Sequence, residues 1–128
     1  TEKRHRRSPK YPPAFYSGLA ELAADDDRLR WVWCERDGQP VASHIYVREG
    51  DMLLYWQGYF DPAFSSLRPN QYMMFLQAQE CARLGMRYLN LGASPPDADG
   101  LQEYKERWGG KPYQYKCYTH QSLLGKIL

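Results

Sequence analysis

Two short turns and a change of hydrophobic period constrain this chain more than any other feature. Asp37-Gly38 and Gly50-Asp51 each separate runs in which apolar and polar residues alternate, and the alternation stops at Phe60-Asp61-Pro62. Asp-Gly between such runs is a strong hairpin signal, because a tight two-residue turn needs positive φ at both positions. Arg28 to Arg36 sets Trp31 and Trp33 on one side and Val32 and Cys34 on the other. Val41, Ser43, Ile45 and Val47 alternate against Ala42, His44 and Tyr46, and Met52 to Tyr59 makes a third run. Three strands joined by turns of this length form an antiparallel meander.

Beyond Pro62 the period becomes helical. A polar loop, Ser65-Ser66-Leu67-Arg68, leads to Pro69, whose fixed φ and missing N–H suit a first helical turn. The helix runs from Asn70 to Leu84. Tyr72-Met73-Met74-Phe75-Leu76 is apolar nearly all round, which predicts burial on more than one side. Gly85 ends it. A strand follows at Arg87 to Leu91, a short helix at Leu101 to Trp108 and a strand at Tyr113 to Thr119. Upstream, Tyr11-Pro12-Pro13 opens a helix carrying Phe15, Leu19, Leu22 and Ala23 at helical spacing, and Asp25-Asp26-Asp27 closes it. The tail Gln121 to Leu128 is apolar enough to pack.

The order is therefore α-β-β-β-α-β-α-β. The helix at 70–84 supplies the crossover that a parallel pair requires, so the strand at Tyr88 is expected to lie parallel to that at Met52. The result is a mixed sheet with helices on its faces, an α/β domain that is not doubly wound. A length of 128 residues suits one domain, 11–128, behind a flexible basic arm at 1–10.

The arm, with Lys3-Arg4-His5-Arg6-Arg7 and Lys10, accounts for most of the positive excess. A net charge of +2 is too small to argue for DNA or other nucleic acid once that arm is set aside. Cys34, Cys81 and Cys117 are odd in number and widely spaced, which argues against a disulfide framework or a zinc site and for reduced thiols in the cytoplasm. No apolar run is long enough to span a bilayer. The chain opens on Thr1 rather than Met, which reads as a processed or excised piece of a longer protein. Eleven tyrosines and four tryptophans are an abundance that fills a core and lines clefts together, and Trp31, Trp33 and Trp56 on the meander strands read as core or cleft wall rather than a sugar platform.

The densest chemistry lies in Tyr88-Leu89-Asn90-Leu91-Gly92-Ala93-Ser94 and Gly100-Leu101-Gln102-Glu103-Tyr104-Lys105-Glu106-Arg107-Trp108-Gly109-Gly110. An apolar strand runs into a glycine loop, then into a short helix with an aromatic-lysine pair. Gly92 lets a ligand approach the main chain, and Lys105 offers a positive charge. Lys105 also fits a plain surface lysine on a helix whose packed stripe is Tyr104 and Trp108. Asn90 is either a buried polar group with a structural partner or a substrate contact. His44, the one histidine inside a strand, is either a base or a half-exposed residue on the polar face. No serine or cysteine sits in a nucleophile motif.

The order resembles the GCN5-related N-acetyltransferase (GNAT) fold entered after its first strand. Three segments resemble its FemAB-like acyl- and aminoacyl-transferase branch, in the carboxyl-terminal half: Pro69-Asn70-Gln71-Tyr72-Met73, Asn90-Leu91-Gly92, and Tyr104-Lys105-Glu106-Arg107-Trp108-Gly109. The resemblance implies an acyltransferase that moves an acyl or aminoacyl group from acetyl-CoA, another acyl-CoA or tRNA to an amine. The acceptor would be a small molecule, a cell-wall or polysaccharide precursor, or a peptide, and no metal is implied. It places Lys105, with Tyr104 beside it, at the catalytic site, and His44 is a candidate base on its own chemistry. Ser65, Ser66, Arg68 and Asn70 would hold the donor's phosphates at a helix start, where free N–H groups and the dipole favour an anion. Asn90, Gly92 and Ser94 would line the acceptor channel. The parallel strands should part at their carboxyl ends, leaving a gap for a pantetheine-like chain. The phosphate turn usual in GNAT enzymes is glycine-rich, whereas here Phe64 to Asn70 holds no glycine. The branch pairs two such domains, so a second GNAT-like domain or a second copy is the implied partner. A single domain of this kind also fits a non-catalytic half that binds a ligand or a partner.

Overall fold

A computed structural model of the protein describes residues 10–120, so the basic arm up to Pro9 and the tail from Gln121 lie outside the described residues. The chain divides into two compact units, Thr1–Ala93 and Ser94–Leu128.

The first unit is built on a four-stranded mixed sheet in the order β1-β2-β3-β4. Helix α1 (Pro13–Asp25) precedes strands β1 (Leu29–Arg36), β2 (Gln39–Glu49) and β3 (Met52–Phe60). A 3-10 turn (Pro62–Leu67), helix α2 (Pro69–Arg83) and strand β4 (Tyr88–Asn90) follow. Asp37 and Gly38 take φ of 51° and 77°, so the first hairpin turns as its sequence requires. β1, β2 and β3 pair antiparallel, and β4 pairs parallel with β3 through Met52↔Tyr88, Leu53↔Leu89 and Leu54↔Asn90. The crossover helix thus delivers the parallel pair its position predicts.

β2 is covered on both faces, and Val41 to Tyr46 are buried without a break. One face takes α2, where Tyr46, Leu53 and Cys81 form the core with Val32, Tyr55, Met86 and Leu89 around it. The other takes α1, whose Tyr16 ring lies 6.3 Å from Trp31 and whose Phe15 ring lies 6.2 Å from Trp56. His44 therefore does not sit on a polar, half-exposed face: it points into the α2 side and is 1% exposed.

Two expectations about packing are corrected. α2 buries Pro69, Met73, Met74, Gln77 and Cys81 but leaves Tyr72, Phe75 and Leu76 exposed. One stripe meets the sheet, and the described residues supply no second layer outside it. In the second unit, helix α3 (Asp99–Arg107) forms, but no strand forms over 113–119. Tyr113, Tyr115 and Tyr118 are exposed there. Strand propensity is realised only against a partner edge, and alternating tyrosines supply none of their own.

Candidate active site

The ladder between β3 and β4 stops at Leu54 and Asn90, although β3 continues to Phe60. The carboxyl end of β4 is the usual kind of place for a ligand in an open α/β sheet. Two details of the chain shape this point. Ile45 pairs with Gln57 while Tyr46 pairs with Tyr55, so Trp56 is an extra residue in a β-bulge. On the β4 side, Gly92 has φ of 78°, and a Cβ built there would stand 3.1 Å from the Tyr55 carbonyl oxygen. Asn90 is exposed and folds back, its Oδ1 accepting the Gly92 N–H at 2.9 Å. Its amide shapes the turn, an Asx arrangement that sequence reading did not distinguish from a buried polar group.

On the α2 face, sequence-predicted residues His44 and Asn70 meet. The Asn70 Oδ1 lies 3.0 Å from His44 Nε2, and the Tyr46 hydroxyl lies 2.9 Å from Nδ1. An amide oxygen only accepts, so Nε2 carries the proton and Nδ1 receives the Tyr46 O–H. Burial pushes the His44 pKa below its ordinary 6.5, opposed by the hydrogen bond to Asn70. The imidazole is held neutral and ties the centre of β2 to the first turn of α2.

This has a measurable consequence. The unfolded chain takes up a proton near pH 6.5, whereas the folded chain does so only at lower pH. Stability is therefore fully present above pH 6.5 and is lost as pH falls below it toward the depressed folded value, by at most about 1.4 kcal/mol per pH unit for one group. Denaturant titrations from pH 7.5 to 5.5 should show this slope in the native protein. A flatter profile is expected in His44→Gln, and an equal slope in that variant would assign the effect to another group.

Arg68 stands at the amino-terminus of α2 with φ 49° and ψ 51°, the left-handed region, and its N–H bonds the Ser65 carbonyl at 3.0 Å. A residue other than glycine in this region carries strain of roughly 1–2 kcal/mol. The chain has an arginine where its turn geometry would favour glycine. Ser65, Ser66 and Arg68 are all exposed, and Asn70 is half-buried.

In the second unit, Lys105 Nζ donates to Ser94 Oγ at 2.9 Å, and burial lowers the Lys105 pKa from its ordinary 10.5. Tyr104 and Trp108, both half-buried, meet edge to face with ring centroids 6.5 Å apart. The Gly110 N–H reaches back to the Lys105 carbonyl and closes α3.

Sequence reading missed Gln57. The bulge at Trp56 turns Gln57 to the face opposite Tyr55, though the two are only two residues apart, and no local signal announces a bulge. Among the described residues, no group of three or more His, Cys, Asp or Glu is placed to hold a metal, and no helix is long and apolar enough to cross a membrane.

Comparison with solved structures gives the same architecture. An aminoglycoside N-acetyltransferase, AAC(6')-Iy, solved with a bisubstrate analogue, matches with a TM-score of 0.72 at 13% identity, over 93% of this chain and 86% of that one. A ribosomal-protein-alanine N-acetyltransferase from Brucella melitensis biovar Abortus 2308 matches with a TM-score of 0.65 at 15% identity, over 88% and 83%. The aminoglycoside 6'-N-acetyltransferase AAC(6')-IG of Acinetobacter haemolyticus gives 0.70 at 10% identity, over 90% and 85%. At such identities the likeness speaks for the fold alone. No curated protein sequence matches significantly. The family model described as an acetyltransferase (GNAT) domain matches residues 1–106, most of the chain. With the mixed sheet and its parallel β3–β4 pair, this match settles the family: the chain belongs to the GNAT acetyltransferases.

Proposed function

We propose that the protein transfers an acyl group, acetyl from acetyl-CoA in the simplest case, to a primary amine by direct attack in a ternary complex. The observation that carries this reading is the end of the β3–β4 ladder at Leu54 and Asn90, beside a bulge in β3 and a glycine turn after β4. The amine nitrogen attacks the thioester carbonyl, the new C–N bond forms, the C–S bond breaks, and the thiolate leaves as the amine loses a proton. Positioning and electrostatic stabilisation supply most of what such a step needs.

Arg68, with Ser65 and Ser66, holds the donor's phosphates at the start of α2. The support is its strained backbone: strain that persists at a helix start is commonly associated with function. Asn70 is kept in place by His44, so His44 positions the donor site rather than serving as the base, both of its ring nitrogens being engaged. Lys105, with Tyr104 beside it, stabilises the developing charge, and Ser94 orients its ammonium. Asn90 and Gly92 shape the channel by which the acceptor enters. An aminoacyl-tRNA donor and a cell-wall, polysaccharide or peptide acceptor belong to the FemAB-like form of this reading, and the AAC(6') relatives support a small aminated acceptor.

Calorimetric titration with acetyl-CoA tests the donor. Arg68→Gly should weaken binding by about 1–3 kcal/mol, the scale of a charge-assisted contact to phosphate. Because glycine relieves the left-handed strain but loosens the unfolded chain, stability should stay level or rise by up to about 1 kcal/mol. Unchanged affinity would leave the helix start an ordinary turn, and no binding of acetyl-CoA by the native protein would remove this donor.

A further inference from the structure

Helix α1 lies on the sheet but is weakly tied to it. Among the described residues, none of its own side chains is buried. Phe15 meets Trp56 edge to face at 6.2 Å between centroids, and Tyr16 meets Trp31 tilted at 6.3 Å. Both distances fall toward the long end of the range in which aromatic pairs attract. The helix is also poorly made in itself. Pro12 at its amino end gives no side-chain cap, and Asp25 stands in its last turn, where the dipole disfavours an acid. Gly18 sits in its middle, yet a Cβ built there would meet open space, so no close approach calls for glycine. Thirteen residues are near the lower limit for a helix standing alone in water.

Beneath it, register aligns Trp31, Ile45 and Gln57 in one row across β1, β2 and β3. Trp31 Nε1 and Gln57 Nε2 are both N–H donors, and both are buried with no hydrogen-bond partner among the described residues. With α1 in place, each costs the desolvation of an unmet donor. Once α1 moves off, water meets them, so their burial works against the closed arrangement. The carboxyl end of the helix is held differently. The Asp26 carboxylate accepts the Arg28 N–H at 2.9 Å, Nε at 3.0 Å and Nη2 at 2.6 Å, and the Leu29 N–H reaches the Asp26 carbonyl at 3.2 Å. This junction does not depend on contact between α1 and the sheet.

We propose that α1 is a hinged cover, which lifts from the sheet about the Asp26–Arg28 junction far more readily than the sheet unfolds. Hydration of Trp31 and Gln57 favours the lifted state, and the marginal helix frays once its support is gone. Such an opening is one of the sub-global motions that lie below the free energy of global unfolding. It stands apart from the acyl-transfer reading and does not depend on it.

Hydrogen exchange of the full chain, read by mass spectrometry on peptides from α1 and from β2, tests the proposal. Corrected for intrinsic rates, α1 amides should exchange on the order of 100-fold faster than those of β2. Gln57→Met keeps the length of the side chain and removes the amide donors, and Trp31→Phe removes the indole N–H. Each should slow exchange in α1 by about tenfold, the scale of one buried unmet donor. Gln57→Met decides between the two, because Trp31→Phe also gives up packing against Tyr16. Gly18→Ala, on the exposed side of the helix, should slow α1 exchange by about twofold to fivefold. If the donors stay covered whatever α1 does, Gln57→Met will slow β2 and leave α1 unchanged, and the proposal is overturned. Exchange of α1 no faster than that of β2 would also overturn it, since helix and sheet would then open only together.

Discussion

Lys105→Met should lower turnover at saturating acetyl-CoA and amine by a factor on the order of 10²–10³, the loss seen when one donor to an oxyanion is removed. Methionine keeps most of the aliphatic stem and removes only the charge and its hydrogen bonds. Donor affinity should move far less, because the charge that the ammonium meets develops in the transition state. Unfolding stability should change by less than about 1 kcal/mol. Loss of the bond to Ser94 Oγ and relief of a desolvated ammonium act in opposite directions. The measurements are steady-state kinetics, calorimetric titration and thermal unfolding on the same preparation. A fall in affinity with turnover preserved would make Lys105 a ground-state phosphate ligand instead. If neither parameter moves, the helix at 99–107 has no part in catalysis.

The elements of the first unit were readable because each rests on local chemistry. Asp37-Gly38 needs two positive φ values, the runs around it alternate, and the residues beyond Pro62 change to a helical period. The parallel pairing of Met52 with Tyr88 followed from the crossover helix between them. What escaped is tertiary in origin. The Trp56 bulge inverts the facing of Gln57 relative to Tyr55 with no turn residue to signal it, so the orphaned donor at Gln57 was invisible. His44 looked half-exposed because β2 alternates as a one-sided strand does, while the structure covers both of its faces. Arg68 shows no left-handed preference of its own, and its conformation is imposed by the junction of the 3-10 turn with Pro69. The tyrosines at 113, 115 and 118 have strand propensity, yet propensity alone forms no strand there.

Gly58→Ala should destabilise the fold by about 1–3 kcal/mol, the range for a methyl group forced into a packed interior. Gly58 stands opposite His44 across β2 and β3. A Cβ at this position would run into the Tyr55 hydroxyl and the ring carbon that bears it, and would come within 3.1 Å of His44 Cδ2. The flexible end of Tyr55 would ordinarily swing aside. Here its ring is 4.8 Å from that of His44 and 5.5 Å from that of Tyr46, and His44 is fixed by Tyr46 and Asn70. The strain therefore passes from a single methyl group to the bond that holds Asn70 at the start of α2. Acetyl-CoA affinity should fall along with the melting temperature, which sets this variant apart from an ordinary core defect. In the Gly58→Ala background, Tyr55→Phe should recover part of the lost stability, because it deletes the atom that clashes most while leaving the ring carbon behind. A double-mutant cycle over these two positions, followed by chemical denaturation, measures that coupling directly. Additive effects would mean that the inserted methyl group is absorbed elsewhere, and that Gly58 is not needed to seat the His44–Asn70 pair.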